Sequence, residues 1–213
     1  MIIQGLMIPR PEVHWVSSDE TLEKALNELE THGFTTLPVL DEGRFIGVIT
    51  RRLIFETFFT GQEPDRGKFL AENLVKDHII TDVQVAHITD FLDEVLFKFL
   101  ASRYDFLAVL SDDRFMGIVT RNSMLNAFIK GAGLEKSAHR IAVLIDDFKG
   151  ALAKLTGLIS DQDAEILGIV SFDPEASHLK FVEITVSTER FEELVKVLAQ
   201  NGFSVREARM AKR

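Results

Sequence analysis

The 213-residue sequence predicts an α/β (α+β) fold, with a duplicated β-α-β-β-α unit followed by a β-α-β-β-α-β segment. The first observation is an internal repeat: residues 44–51 (RFIGVITR) recur as 114–121 (RFMGIVTR), at an offset of 70 residues. The second is that the same offset aligns the apolar positions around this motif, which indicates one supersecondary unit built twice. The third is that the apolar pattern changes beyond residue 138.

Each repeat contains an amphipathic helix after a short lead-in strand. Apolar residues recur at i, i+3, i+4 and i+7 in both copies: Leu22, Ala25, Leu26 and Leu29 in the first, and Leu92, Val95, Leu96 and Phe99 in the second. This spacing places them on one face of a helix. Asp19 and Thr89 are the predicted N-caps.

Two strands and a second helix complete each repeat. The predicted strands are 36–40 and 45–50 in the first copy, and 106–110 and 115–120 in the second. Polar turns join them at 41–43 and 111–113. The second helices are expected to begin at Arg51 and Arg121, and the Gly- and Pro-containing loop 61–67 is expected to separate the copies.

A third region follows a predicted linker that begins at 131–133 and runs to His139. Strands are predicted at 141–145, 166–172, 179–186 and 203–205, with apolar helical stripes between the first and second and between the third and fourth. This order is that of the ferredoxin-like βαββαβ unit. The predicted domains are therefore 1–62, 68–132 and 138–213.

Composition excludes several function classes. A net charge of −9 argues against nucleic-acid binding, which needs clustered cations, and the absence of cysteine excludes disulfides. With no signal peptide and no membrane-length apolar run, we expect a cytoplasmic protein without a membrane partner.

We also expect neither enzymatic activity nor a required cofactor. No catalytic motif is present. The histidines are spread along the chain, and no two of them have metal-ligand helical spacing, so we predict no catalytic residues and no metal site. They are His14, His32, His78, His87, His139 and His178.

The repeat resembles a known family. Gly47-Val48-Ile49-Thr50 and Gly117-Ile118-Val119-Thr120 end the second strand of each copy. A duplicated unit with this G-h-h-[ST] ending resembles a tandem CBS pair, or Bateman module. Residues 147–152 (DFKGAL) are similar to the D-x-P-G-x-L turn of ACT domains, with Lys149 in the place of proline. The order CBS–CBS–ACT resembles bacterial acetoin-utilisation regulatory proteins.

The resemblance implies a regulatory, ligand-sensing protein. CBS pairs bind adenosine-containing ligands such as AMP, ATP or S-adenosylmethionine between the copies, and they commonly form homodimers. The nucleotide-binding residues it implies are Thr50 and Arg51 in the first copy, and Ala108, Val109, Thr120, Arg121, Asn122 and Ser123 in the second. From the residues alone, the threonines as helix caps and the arginines as solvated surface are the alternative.

The family's ribose-binding aspartate falls on Leu53 and Ser123, so we expect the ligand to prefer the second cleft. Trp15 is expected either to contact the base or to pack in the core, the latter being favoured.

For the ACT-like segment, the implied amino-acid site is Asp147, Lys149, Gly150, Ala151 and Leu152. The alternative is that Gly150 serves only the turn.

Two function classes stay open. One is a nucleotide sensor that is read by an unidentified regulated protein, and the other is a scaffold with degenerate pockets. In either case the apolar residues that end each copy predict a homodimer. These residues are Phe55, Phe58 and Phe59, and Leu125, Phe128 and Ile129.

Overall fold

The computed structural model describes residues 3–61, 63–134, 137–146, 148–173 and 178–211. The chain divides into two compact units, Met1–Leu125 and Asn126–Arg213. The predicted domain limits stay a prediction. Within the described residues, no helix has both the length and the apolar character needed to cross a membrane.

The first unit is built on one sheet of seven strands. Its strands are β1 (Ile8–Pro9), β2 (Val16–Ser17), β3 (Thr36–Asp41), β4 (Arg44–Thr50), β5 (Val85–His87), β6 (Phe106–Ser111) and β7 (Arg114–Thr120). The sheet order is β2-β3-β4-β7-β6-β5, with β1 paired to β7. The helices are α1 (Leu22–His32), α2 (Arg51–Thr60), α3 (Arg66–Glu72), α4 (Leu92–Ala101) and α5 (Arg121–Gly131), with 3-10 helices at Ile3–Gly5, Arg10–Glu12 and Val75–His78.

The two repeats meet at equivalent residues. Strands β4 and β7 pair through Arg44 and Arg114, which are 70 positions apart. The next equivalent pair, Phe45 and Phe115, stacks with ring centroids 6.0 Å apart and planes 18° from parallel. Contacts between identical positions of two copies are what a pseudo-twofold axis requires.

The lead-in segment of each copy, meaning the stretch before its first helix, pairs with a strand of the other copy. Ile8 pairs with Ile118 of the second copy, and Ile80 pairs with Val48 of the first. At each of these two pairings the lead-in backbone lies directly against a glycine. A Cβ on Gly47 would lie 2.4 Å from the Ile80 carbonyl oxygen, and one on Gly117 would lie 2.1 Å from that of Ile8. Any other residue would collide with backbone, so the repeated glycine lets the two copies interlock.

Both predicted caps of the first helices are wrong by two residues. Helix α1 begins after Thr21, whose side chain accepts a hydrogen bond from the Lys24 N–H at 3.4 Å. Asp19 instead pairs with Lys76 at 3.0 Å. Phe91 holds the equivalent cap position before α4, and the Glu94 carboxylate accepts from its N–H at 2.7 Å.

The predicted loop between the copies is shorter than expected. Helix α3 begins at Arg66, inside the range 61–67. The Asp65 side chain caps it by accepting from the Lys68 N–H at 3.0 Å. An aspartate before a short apolar run, here containing Phe69 and Leu70, is a signal for the start of a helix. The Gly and Pro residues nearby favoured a loop in the sequence prediction instead.

The second unit is a four-stranded antiparallel sheet with two helices. Its elements are β8 (His139–Asp146), α6 (Ala151–Asp161), β9 (Glu165–Phe172), β10 (Leu179–Ser187), α7 (Phe191–Gln200) and β11 (Ser204–Arg209). The sheet order is β11-β8-β10-β9. Its core includes Ile141, Leu155, Val182 and Leu198, all fully buried. The predicted β-α-β-β-α-β order is observed, and the largest difference in bounds is at the last strand, which runs to Arg209 instead of ending at 205.

The start of the predicted linker packs within the second unit. Ala132 and Gly133 are buried, and the Thr185 hydroxyl donates to the Ala132 carbonyl at 3.0 Å. A Cβ on Gly168 of β9 would lie 2.3 Å from the Ala132 backbone. The small residues here permit close backbone packing.

Candidate functional site

Two clefts of similar size lie between the repeats. The first, called here the Thr120 cleft, has a volume of about 450 Å³. It is lined by Ile8, Glu12, Val13, His14, Gly33, Phe34, Thr35, Thr36, Leu37, Pro38, Asp105, Phe106, Ile118, Thr120, Arg121 and Asn122. The second, the Thr50 cleft, has a volume of about 470 Å³. It is lined by Thr35, Thr36, Thr50, Arg51, Arg52, Leu53, Phe55, Glu56, Ile80, Arg103 and Tyr104.

The two threonines that mark the repeat cap the helices that follow them. Thr50 Oγ1 accepts from the Leu53 N–H at 3.0 Å, and Thr120 Oγ1 accepts from the Ser123 N–H at 3.1 Å. Both threonines also line their clefts. The Thr50 hydroxyl retains its own proton for donation, whereas the Thr120 hydroxyl also donates to Ser123 Oγ at 3.3 Å, a bond that a ligand acceptor would replace. Capping and ligand contact are therefore compatible roles here.

Ser123 is bonded back onto Thr120. Its hydroxyl donates to the Thr120 carbonyl at 2.9 Å and accepts from the Thr120 N–H at 3.0 Å. Ser123 is not among the residues lining the Thr120 cleft. A ribose hydroxyl bound by Ser123 would have to replace these bonds, so the predicted role of Ser123 stays a prediction. Leu53 does line its own cleft, where it offers only apolar surface.

Asp105 is a cleft residue that sequence reasoning missed. It lies directly before β6, is exposed and lines the Thr120 cleft. Its carbonyl accepts from the Arg121 N–H at 3.0 Å, as that of Thr35 accepts from the Arg51 N–H at 3.1 Å. The offset of 70 pairs Asp105 with Thr35, so the repeat itself could have identified the position.

Arg121 binds the end of a helix. Its guanidinium donates to the carbonyls of Phe99 at 3.0 Å and Ser102 at 2.7 Å, and it lies 5.1 Å from the Phe99 ring centroid. A cation there satisfies carbonyls that the end of α4 leaves free. Arg121 is exposed, as the alternative of a surface arginine predicts, but its guanidinium is also bonded to the protein. Three of its five N–H donors remain for a ligand.

In the first copy the equivalent helix, α1, is capped differently at its C-terminal end. Gly33 adopts a left-handed conformation with φ of 68°, and the Phe34 N–H donates to the Leu29 carbonyl at 2.8 Å. The residue equivalent to Gly33 is Arg103. The second copy therefore lacks the glycine turn and uses Arg121 in its place.

The clefts differ in charge. Arg51, Arg52 and Arg103 line the Thr50 cleft with one carboxylate, Glu56, which pairs with Arg52 at 2.6 Å. The Thr120 cleft instead carries the carboxylates of Glu12 and Asp105 against Arg121. The Thr50 cleft is thus the more cationic one.

Other predicted residues lie away from the clefts. Ala108 and Val109 are 1% and 0% exposed in β6, and neither lines the Thr120 cleft. The expected core packing of Trp15 is wrong, since the residue is 39% exposed and the Arg10 guanidinium lies 5.9 Å from the ring centroid.

The expectation of scattered histidines also needs correction. The structure brings His14 and His32 together with Glu28, and one nitrogen or oxygen atom of each lies within 4.8 Å of the others. Glu28 and His32 are four residues apart on α1, a spacing that a search for histidine pairs does not test.

The ACT-like turn was predicted at 147–152. Asp147 lies outside the described residues. Gly150 has φ of 98°, and a Cβ there would meet no atom within 4 Å. Lys149 and Leu152 are exposed, while Ala151 is buried and its N–H donates to the Phe148 carbonyl at 3.1 Å. One of the N–H groups expected to receive a carboxylate is therefore already bonded.

Comparisons with known proteins agree with this architecture. The CBS domain family model matches residues 5–59 and 75–130, just over half of the chain. Inosine-5'-monophosphate dehydrogenase of Methanocaldococcus jannaschii is 26% identical over 191 residues, which cover 87% of this chain and 34% of that enzyme. The chain thus spans about a third of the enzyme's length.

Solved structures share the fold of the repeats. A CBS domain-containing protein of Bacillus anthracis has 27% identity and a TM-score of 0.54, over 61% of this chain and 94% of that one. CbpB in complex with c-di-AMP has 24% identity and a TM-score of 0.55, over 60% and 84%. CBSX2 of Arabidopsis thaliana, in complex with AMP, has 22% identity and a TM-score of 0.53, over 63% and 98%.

The sequence resemblance of the duplicated unit is confirmed by these matches and by the pairing of equivalent strands. The resemblance of 138–213 to ACT domains stays a prediction. With both repeats matched and interlocked, this chain belongs to the CBS domain family.

Proposed function

We propose that this chain is a regulatory sensor whose Thr120 cleft takes an adenosine-containing ligand of the AMP, ATP or S-adenosylmethionine type. One observation carries the proposal: a single cleft of about 450 Å³ joins apolar surface, a carboxylate, a hydroxyl and a guanidinium. That volume falls within the range of small-molecule sites. The base of a nucleotide needs apolar surface, its ribose needs a hydrogen-bond acceptor, and its phosphate needs donors and positive charge.

The apolar part of the cleft suits a purine base. Phe34 is 38% exposed and offers a ring for stacking, with Ile8, Pro38 and Ile118 on the same lining. Aromatic and apolar side chains bind flat rings through burial and stacking. The base is the end of the ligand that this surface fits.

The polar part suits a ribose and its phosphate. The Asp105 carboxylate would accept hydrogen bonds from the two vicinal hydroxyls of the ribose. Ser123 and Leu53 carry no charge and cannot act in this way. The remaining Arg121 N–H groups would donate to phosphate oxygens, as would Thr120 Oγ1 once it exchanged its bond to Ser123 Oγ. The clefts share Thr35 and Thr36, so a polyphosphate leaving the Thr120 cleft would meet Arg51 and its neighbours.

Two proteins of the same fold support the ligand class. CbpB holds c-di-AMP and CBSX2 holds AMP, and both ligands contain adenosine. The dehydrogenase activity of the M. jannaschii relative is not carried over, since this chain spans about a third of that enzyme. We propose a role without catalysis, in which an unidentified regulated protein responds to occupancy.

The test is calorimetric titration of the full chain with AMP, ATP and S-adenosylmethionine. Asp105→Asn keeps the size and the backbone bond of the residue but removes its charge. A hydrogen bond to a charged group contributes about 1.5–3 kcal/mol, so we expect affinity to fall about 10- to 100-fold.

Glu56→Gln is the matched control, since it removes one carboxylate from the Thr50 cleft. We expect it to change the affinity for AMP and S-adenosylmethionine, which do not reach the Thr50 cleft, less than about threefold, as surface substitutions do. Equal losses in both variants would contradict the choice of cleft. No binding of any adenosine compound at millimolar concentration would overturn the proposal.

A scaffold with degenerate pockets is the second candidate function. The bonds that tie Ser123 to Thr120 favour it, because they occupy the hydroxyl at the family's ribose-binding position. The same titrations distinguish the two, since a scaffold would bind no nucleotide and would still capture its partner.

We also propose that the chain forms a homodimer through its helices. Large apolar side chains remain exposed on three helices of the first unit: Phe59 at 79%, Phe97 at 70%, Leu100 at 81% and Leu125 at 57%. Such surface is usually covered by a partner. Light scattering should report a dimer, and Phe97→Ser with Leu100→Ser should give a monomer. A monomeric wild type at micromolar concentration would refute it.

For the second unit we propose an ACT-type domain that binds an amino acid at the turn containing Gly150 or serves dimerisation. The open space at Gly150 supports the first role. The exposed Phe148, Ile169 and Phe172 support the second. NMR of the full chain with added amino acids tests them, because ligand binding would shift the amides near Gly150.

A further inference from the structure

The cluster of His14, Glu28 and His32 is assembled from two elements. Glu28 and His32 lie one turn apart on α1, and His14 lies in the lead-in segment before β2. His14 Nδ1 is 3.4 Å and His32 Nε2 is 3.6 Å from the same oxygen, Glu28 Oε2. The imidazole centroids are 3.9 Å apart.

These separations match a shared cation better than direct hydrogen bonds. An N–H···O bond has a donor–acceptor distance of about 2.7–3.2 Å, shorter than both measured values. Ligand atoms about 2.0–2.1 Å from a tetrahedral zinc ion lie about 3.3 Å from each other. Each nitrogen is thus spaced from the oxygen like two ligands of one ion, and one ligand atom from each of the three residues lies within 4.8 Å of the others.

The surroundings hold the two rings in place. Phe34 stacks on the His32 ring at 5.6 Å and 22°, and contacts the His14 ring at 5.5 Å and 53°. The three ligand side chains are 31% to 43% exposed. An ion can therefore enter from solvent and keep a position for water or another donor, as in three-ligand zinc sites.

We propose that His14, Glu28 and His32 form a binding site for a divalent transition metal, with Zn²⁺ as the first candidate. Two imidazoles and a carboxylate suit zinc and its neighbours, whereas Mg²⁺ and Ca²⁺ prefer oxygen ligands only. The site borders the Thr120 cleft, because His14 and Phe34 line that cleft. The metal site itself does not depend on nucleotide binding.

The test is titration of the metal-stripped full chain with Zn²⁺ by calorimetry, and with Co²⁺ by visible absorption. We expect one equivalent to bind, with the intense absorption of four-coordinate cobalt. Loss of a group that hydrogen-bonds to a metal ligand costs about 10- to 100-fold in metal affinity, so loss of a ligand itself, in His14→Gln or His32→Gln, should cost at least that much.

His87→Gln is the matched control, since His87 is an exposed histidine of the same unit outside the cluster. It should leave affinity and stoichiometry unchanged. Circular dichroism checks that each variant is folded, and Glu28→Gln offers a third variant if a histidine variant is not. Zn²⁺ binding that is unchanged in the cluster variants, or that appears only at millimolar concentration, would overturn the proposal.

Discussion

Gly117→Ala should weaken the first unit by detaching its lead-in segment. The new Cβ would lie 2.1 Å from the Ile8 carbonyl oxygen and 3.1 Å from the Pro9 Cα. Both contacts are with backbone, so no side chain can rotate away. Strand β1 must move from β7, which breaks the pairing of Ile8 with Ile118 and of Pro9 with Gly117.

The expected loss follows from the two strains involved. Forced overpacking costs about 1–3 kcal/mol, and a side chain at the observed φ of 155° costs about 1–3 kcal/mol more. Because partial detachment of β1 relieves both, we expect the free energy of unfolding to fall by about 2–4 kcal/mol. Ile8 lines the Thr120 cleft, so nucleotide affinity should fall as well.

The assay is urea unfolding followed by tryptophan fluorescence. Trp15 is the only tryptophan and belongs to the first unit, so its signal reports that unit alone. Gly5→Ala is the control, because a Cβ on Gly5 would meet no atom within 4 Å. It should change stability by less than about 0.5 kcal/mol. If Gly117→Ala is as stable as this control, the interlocked arrangement of the lead-in segments is wrong.

Two further predictions concern side chains that hold the second repeat. Arg121→Ala should cost about 1–2 kcal/mol in the same urea assay, because the carbonyls at the end of α4 lose their donor. Arg51→Ala should cost less than about 0.5 kcal/mol, since the first copy closes that helix end without an arginine, and equal losses would contradict the assignment. Burial of Asp90 opposes its ionisation, but bonds from the Lys98 ammonium and the His87 N–H outweigh this and lower its pKa. A carboxylate with a lowered pKa stabilises the fold at pH values above its ordinary pKa of about 3.9, and this stabilisation is lost as the pH falls. The loss in free energy of unfolding caused by Asp90→Asn should therefore become smaller in acid. A loss that does not change with pH would refute this role of Asp90.

The repeat made the fold of the first unit predictable. Positions 70 apart share strand register, and even the register shifts fall at the same places, Val39/Leu40 and Val109/Leu110. The helix starts were less predictable. Asp19 is a strong capping residue, but its side chain pairs with Lys76, which is far away in sequence. A tertiary ion pair of this kind leaves no local signal.

The site was predicted only in part. Thr50, Thr120, Arg51, Arg121 and Asn122 do line the clefts. The buried Ala108 and Val109 do not, because β6 lies in the interior of the sheet and both side chains pack into the core.

The cluster of His14, Glu28 and His32 could not be predicted from local sequence patterns either. Glu28 and His32 have helical spacing, but the third ligand, His14, reaches them only through the path of the lead-in segment. No spacing rule connects a loop histidine to a helix that begins at Leu22.

One substitution between the copies accounts for much of the difference between the clefts. By the pseudo-twofold relation, Gly33 and Phe34 line the Thr120 cleft where Arg103 and Tyr104 line the Thr50 cleft. Glycine at the first position ends α1 in a left-handed turn and adds no charge to the cleft. Arginine there makes the other cleft cationic and leaves the end of α4 to Arg121. Since a single position changes both the helix end and the cleft charge, divergence of the copies at that position separates a more apolar cleft from a more cationic one.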